Sequence, residues 1–219
     1  MIQQESSTDT ETGKGSGVVG VPSITRSPRV TPEQIVATAA RLFASDGYHE
    51  VGMREVADAL GIRGASLYHH YRSKEEILYA ICLTVSRDPV VRQLTLLDES
   101  GTPTARLTGL VRAHVLHLVK RQVEHLVGRR EMNALTAAHR AVVDEHRRYY
   151  HRRVAETIAA GVRAGEFRVP DVRLATLALL DMLNGTSAWY DSDGISSANE
   201  IADTYVDLAV GHLLGGRTS

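Results

Sequence analysis

The 219-residue sequence predicts an all-α protein: a small N-terminal three-helix helix-turn-helix unit followed by a larger helical domain. Three observations carry this. Apolar residues recur at helical spacing from Ile35 to Leu214, and strand-like alternation appears nowhere for a useful length. Capping sequences punctuate the chain at Thr31-Pro32-Glu33-Gln34, Ser73-Lys74-Glu75-Glu76 and Ser197-Ala198-Asn199-Glu200. Between Met53 and Leu78, two short helical patterns flank a Gly61-Ile62 turn, and a capped helix follows at once.

In the first helix, Pro32 stands at the first helical position, Ile35, Val36, Ala39, Leu42 and Phe43 follow on one stripe, and Asp46-Gly47 closes the run. The second helix places Val56, Ala57 and Leu60 together, and Gly61 ends it as a residue that tolerates positive φ. In the third, Leu67 and Tyr71 are four apart and face one side. Ser66, Tyr68, His69 and His70 then point elsewhere, a short polar and aromatic face suited to the major groove of DNA. Gly64 and Ala65 at its start allow backbone to approach a phosphate or base edge. Lys74 opens the fourth helix, where a lysine opposes the helix dipole, and a DNA phosphate is its natural outside partner.

The fourth helix is expected from Lys74 to about Leu97, with Pro89 inside it, and Gly101-Thr102-Pro103 is a break. Further helices are expected from Thr104 to about Val123, over about Arg129 to Ala138, from Ala141 to Ala164 and from Val172 to Tyr190. The last begins after the Ser197 cap and carries Ile201, Tyr205, Val206, Leu208, Val210, Leu213 and Leu214. The final two helices are apolar on more than one face and need something extra to bury against, most simply a second copy of the chain.

The formal net charge is −1, and Arg26 to Tyr79 holds seven Lys or Arg against seven Asp or Glu. Net charge therefore does not advertise nucleic acid, and any DNA reading rests on where charges sit. Arg54, Arg63, Arg72 and Lys74 cluster around the turn and the third helix. No run approaches the ~18 uninterrupted apolar residues of a membrane span. The start of the chain is Ser-, Thr- and Gly-rich, not a secretory signal, so a cytoplasmic protein is expected, with residues 1–28 a disordered tail. Arg26 and Arg29 sit just before the first helix, in a solvated stretch or as a basic arm that follows the duplex into a minor groove. The lone Cys82 lies in an apolar stripe and reads as packing.

Catalytic and cofactor motifs are absent: there is no Walker A, G-x-G-x-x-G, H-E-x-x-H or G-x-S-x-G sequence. His114 and His117 stand three apart, with His139, His146 and His151 further on, and read as polar helix positions rather than a metal site. Arg147, Arg148, Arg152 and Arg153 form a basic run, a solvated face or a grip on an anionic ligand.

The run ATAARLFASDGYHEVGMREVADALGIRGASLYHHYRSKEEIL resembles the DNA-binding domain of TetR-type (TetR/AcrR) transcriptional regulators, over roughly residues 29–88. The resemblance implies Arg63, Gly64 and Ser66 near base edges or flanking phosphates, Tyr68 and His69 on phosphate with His70 close by, and Lys74 on phosphate from helix four. The sequence departs from the family where a threonine usually caps the second helix: Gly52 and Met53 stand there, with Arg54 as a longer-reaching substitute. The resemblance further implies a homodimer on a palindromic operator, released by a small-molecule effector held in residues 89–219. The expected effector site is a largely apolar cavity lined by Leu116, Met132, Tyr149, Met182, Asn184 and Trp189. GEFR at 165–168 and N-G-x-x-x-W-Y at 184–190 are similar to members that sense acyl-CoA thioesters, which adds a CoA ester to the options for an apolar effector. An activator of the same fold, and a metal-binding or enzymatic protein that retains the helix-turn-helix, are the alternatives.

Overall fold

The computed structural model describes residues 30–216; the expected tail, with Arg26 and Arg29, lies outside the described residues. Among the described residues the chain is helical, without a strand. Helix α1 (Pro32–Ser45) starts at a complete capping box. Gln34 N donates to the Thr31 hydroxyl (3.3 Å) and Thr31 N to Gln34 Oε1 (2.9 Å), which satisfies two helix-end amides reciprocally. Its buried face is Ile35, Val36, Ala39, Ala40 and Phe43.

Helices α2 (Met53–Ala59) and α3 (Gly64–His70) form the helix-turn-helix. Gly61 has φ +65°, and Ile62 N reaches back to Ala57 O at 3.0 Å, so the turn closes through a left-handed residue. Helix α4 (Lys74–Arg92) begins at Ser73, whose hydroxyl accepts from Glu76 N. The second half of the expected box is shifted by one residue, because the Glu76 carboxylate accepts from Arg72 N at 2.7 Å. The helix runs through Pro89, ends at Arg92 and tightens into a 3-10 turn over Leu94–Leu97. Pro89 leaves the Val85 carbonyl without its intrahelical donor.

The middle of the chain departs from expectation. Helix α5 (Pro103–Lys120) stops before Val123, because Arg121 adopts φ −119°, ψ 32°, and α6 (Gln122–Arg130) follows directly. No separate helix spans Arg129 to Ala138; a 3-10 turn at Met132–Ala134 occupies that stretch. The Thr136 hydroxyl then caps His139 N, so α7 (Ala137–Arg163) starts a full turn earlier than its apolar pattern suggested. Helix α8 (Val172–Trp189) is capped by Asp171. Helix α9 (Ala198–Val206) opens with the Ser197–Glu200 box and ends in a π-helical turn, Asp207–Leu213.

Two apolar clusters result. The smaller joins α1, α2, Leu67 of α3 and the first half of α4, and it also takes in Val127, Leu135 and Val143 from beyond α5. The larger is built on α5, α7, α8 and α9. Helix α4 belongs to both, with Ile77, Leu78, Ile81 and Cys82 in the first and Val90 against the second. Burial pushes the Cys82 thiol up to about 11, so it packs and does not react. No helix among the described residues is long and apolar enough to cross a membrane.

Candidate DNA interface and effector cavity

Helix α3 is anchored by one residue. Leu67 is fully buried, whereas Gly64, Ala65, Ser66, Tyr68, His69 and His70 are exposed, Tyr68 at 53%. A polar, aromatic seven-residue helix that buries a single leucine presents the rest of its surface to something outside the protomer. Beside it, Met53, Arg54, Ala57, Gly61, Arg63 and Tyr68 line a concave groove between α2 and α3. Arg54 is exposed and pairs loosely with Asp58 at 3.7 Å, which leaves it able to swing. Gly52 caps α2 without a side chain, and the Glu55 carboxylate closes on its amide at 3.1 Å instead.

Lys74 has partners within the chain. Its ammonium donates to the carbonyls of Tyr48 (2.6 Å) and His49 (3.2 Å) and sits 4.5 Å above the Tyr48 ring. Those carbonyls lie in the turn between α1 and α2, outside the α1 hydrogen-bond ladder, and they offset the unfavourable position of a lysine at a helix N-terminus. Lys74 thus ties the start of α4 to the groove-bearing unit from behind.

The second feature is a cavity of about 270 Å³ between α4, α5, α6, α7 and α8. Helix α4 contributes Val85, Ser86 and Pro89; α5 gives His114; α6 gives His125 and Arg129; α7 gives Arg147, Tyr150 and His151; α8 gives Leu180, Asp181 and Asn184. A hydrogen-bonded chain crosses its floor. Tyr150 Oη donates to Gln93 Oε1 (2.8 Å), His114 Nδ1 lies 2.9 Å from Tyr150 Oη, and His114 Nε2 lies 3.3 Å from Asn184 Oδ1. Tyr150 has one hydroxyl proton, and it goes to Gln93, so His114 Nδ1 must donate to Tyr150. His114 Nε2 then has no proton in the neutral ring and donates to Asn184 Oδ1 only when the imidazole is charged.

Burial keeps the imidazoles neutral. Desolvation pulls His114 down to about 3, against the opposing hydrogen bond from Asn184. Desolvation likewise takes His125 to about 4, and the charges of Arg147 and Arg129 push the same way. His151 is lowered by desolvation, with Asp181 opposing. Burial also raises Tyr150, which stays a phenol.

The two features together match a known family. The family model for bacterial regulatory proteins of the tetR family covers residues 35–81, and the tetracyclin repressor-like C-terminal domain covers 100–213. The chain belongs to the tetR family. It is similar to the HTH-type transcriptional repressor KstR2 of Mycolicibacterium smegmatis, at 27% identity over 87% of this chain and 94% of that one. The TetR family regulator PfmR of Thermus thermophilus superposes with a TM-score of 0.75, at 32% identity over 85% of this chain and all of that one. AibR, solved in complex with isovaleryl coenzyme A and operator DNA, superposes with a TM-score of 0.71, at 29% identity over 82% and 97% of the two chains. The protein is therefore a DNA-binding transcriptional regulator of this family.

Of the six residues expected to line an apolar cavity in this regulator, the structure brings only Asn184 to it. Leu116, Tyr149 and Met182 pack at the edge of the larger core. Met132 belongs to the smaller cluster and touches Arg147 through its sulfur. Trp189 is 53% exposed and stacks on Tyr205 with ring centroids 6.3 Å apart. Helix phase explains the two α8 misses: at ~100° per residue, Met182 and Trp189 lie roughly 160° and 140° away from Asn184. The lining is also polar, contrary to the apolar one expected. The sequence signal was present in His114, Asp181 and Asn184, which interrupt otherwise apolar stripes. The basic run divides: Arg147 turns to the cavity, Arg148 pairs with Glu145, Arg152 lies over the Tyr149 ring, and Arg153 pairs with Asp98.

The cavity and the DNA-facing unit are joined by short links. The Glu75 carboxylate on α4 accepts from Thr136 N (2.8 Å) and from His139 Nδ1 (2.9 Å), and Tyr79 stacks on the His139 ring at 3.8 Å. Arg130, next in sequence to the cavity residue Arg129, donates to Phe43 O in the last turn of α1 at 2.6 Å.

Proposed function

We propose that this regulator is a cytoplasmic, non-catalytic repressor that binds a palindromic operator as a homodimer and is released by a small molecule held in the α4–α8 cavity. The observation that carries this reading is the division of labour along α4: its first half packs under an α3 with one buried side chain, and its second half forms a cavity wall. Residues 29–88 are the DNA-binding part and the remainder the effector and dimerisation part. Arg63, Gly64 and Ser66 stand at the leading end of α3 for base edges and flanking phosphates. Tyr68, His69 and His70 reach phosphates, Arg54 reaches the backbone from α2, and Lys74 fixes the position of α4. The likeness to KstR2, a transcriptional repressor, and to AibR, solved with both isovaleryl coenzyme A and operator DNA, supports ligand-responsive repression.

The dimer follows from a surface that one protomer cannot cover. Leu174, Leu177 and Trp189 of α8 and Leu208 beyond α9 are large, apolar and exposed. Two α8–α9 pairs form a four-helix bundle and place two α3 helices about 34 Å apart, the repeat of the major groove. The test is retardation of the DNA upstream of the regulator's own gene. Tyr68→Phe, which deletes a phosphate hydrogen bond twice per dimer, weakens binding to every sequence by about tenfold. Ser66→Ala alters which sequences are preferred. Equal, sequence-independent losses for both variants reject this assignment of roles.

A further inference from the structure

We propose that the cavity takes a small ligand with one anionic head group, gripped by Arg129 and Arg147, and an uncharged body that lies on Val85, Pro89 and Leu180. This deepens the effector reading above and rests on it only for the consequence at DNA.

The two arginines set the head group. They come from different helices, α6 and α7, and converge on one cavity. Among the described residues neither has an acidic partner within ion-pair distance, whereas nearby arginines do: Arg130 with Glu131, Arg140 with Asp144, Arg148 with Glu145. Asp181 is the one carboxylate of the lining, so with neutral histidines the cavity carries two guanidiniums against one acid. Leaving two like charges to converge unpaired is unfavourable, and an anion between them relieves it. The planar guanidinium fork fits carboxylate and phosphate oxygens alike.

Position sets the orientation. Arg129 is exposed and Arg147 half-buried, so the charged end of the cavity is its mouth. His114 and Tyr150 are buried and form the floor. A ligand therefore enters body first. Its uncharged part meets Val85, Pro89 and Leu180, and any carbonyl or hydroxyl at its far end finds the His114–Asn184 pair.

Volume sets the size. At about 270 Å³ the cavity lies just under the ~300 Å³ at which pockets for drug-sized molecules begin. It admits a short acyl chain or a single ring. A free short-chain carboxylic acid places its carboxylate at the arginines; a CoA thioester of the same acyl group would put an uncharged thioester carbonyl there, with the long pantetheine arm carrying its phosphates well outside the cavity.

Direct binding to the full-length protein, by calorimetry and thermal shift without DNA, tests this separately from the operator reading. The probes are carboxylic acids of four to eight carbons, the amides of the same skeletons, and CoA thioesters of the same acyl groups. The expected result is that the acids bind and that the amides and thioesters, which put no charge at the arginines, bind at least tenfold more weakly; thioesters that bind while the acids do not overturn the head-group assignment. Arg129→Gln and Arg147→Gln each reduce affinity at least tenfold, while Arg147→Lys, which keeps the charge but not the fork, falls between. Unchanged far-UV circular dichroism certifies that the variants fold. Amides that bind as well as acids, undiminished affinity in Arg147→Gln, or no binding of any of the acids overturns the proposal. Failure to retard operator DNA in the absence of ligand would instead count against the repressor reading.

Discussion

His114 and His125 show how single side chains can be read for their energetics as well as their place. Both are buried and neutral, His125 against Ser187 Oγ at 2.7 Å and His114 in the chain from Gln93 to Asn184. Their basicity is depressed from 6.5 to about 4 and about 3. In the unfolded chain both take up a proton near 6.5, so below that pH the unfolded state gains protons that the folded state refuses. The stability these residues contribute is whole above about pH 6.5 and falls with pH through a window that ends at about 4 for His125 and about 3 for His114. Thermal melts should therefore show Tm dropping as pH goes from about 7 to about 4. His125→Gln, which keeps a hydrogen-bonding group but cannot titrate, flattens that slope; a slope unchanged in both His125→Gln and His114→Gln would mean that other groups govern it. An anion bound between Arg129 and Arg147 screens the charges that depress His125 and makes the same slope shallower.

At the scale of helices, the α6–α7 junction holds the DNA-facing unit at two points: Arg130 on the α1 C-terminus, and Glu75 of α4 under Thr136 and His139. Glu75 is half-buried. Desolvation alone would raise its carboxylate, but the hydrogen bonds from Thr136 and His139 together outweigh it and hold the group below the usual range. Glu75→Ala removes the acceptor of the Thr136 amide and frees the α7 N-terminus; because Thr136 is exposed and water can replace the carboxylate, the cost is about 0.5–1.5 kcal/mol. In a chain of this length, that lowers Tm by roughly 2–4 °C per kcal/mol, measurable by calorimetry; no change would mean the link contributes nothing to stability. Such junctions were the part of the fold least legible in the sequence. Local chemistry marked α1, α3 and α4 at Thr31, Gly61 and Ser73, because caps and turns act over three or four residues. The break at Arg121 has no Gly or Pro to announce it. The early start of α7 depended on Thr136, a cap set ahead of a weakly apolar turn. The cavity was illegible for a different reason: its lining is drawn from five helices between Val85 and Asn184, and helix phase alone put Asn184 inside and Trp189 outside. Lys74 was recognised as a misfit for its helix end, but its partner proved to be a turn 25 residues earlier in the chain, at His49.

The whole molecule has to reconcile a weakly charged DNA face with useful affinity, and the proposed dimer supplies a way to do so. The DNA-facing unit is close to neutral, so one protomer neutralises few phosphates and its binding alone is weak. Joining two such units makes the second contact intramolecular and multiplies affinity by about 10²–10⁴ without any new contact to DNA. In the proposed dimer the joining surface on α8 is Leu174 (55% exposed) and Leu177, with the exposed small residues Ala178 and Ala188 beyond them, which would let a partner helix approach closely. Trp189, the sole tryptophan, stacks on Tyr205 at the end of the same stripe and reports on it. On dilution through the dimer dissociation range, its fluorescence should shift to the red as the stripe is uncovered. Leu174→Glu places a carboxylate at the centre of the surface, where pairing would bury two like charges against each other. The variant is expected to sediment as a monomer, to show the red-shifted emission at every concentration, and to lose about a hundredfold or more in operator affinity with α3 untouched. A monomeric Leu174→Glu protein that still holds the operator at full strength would show that each α3 binds without its twin, and the palindrome reading would fall with the dimer.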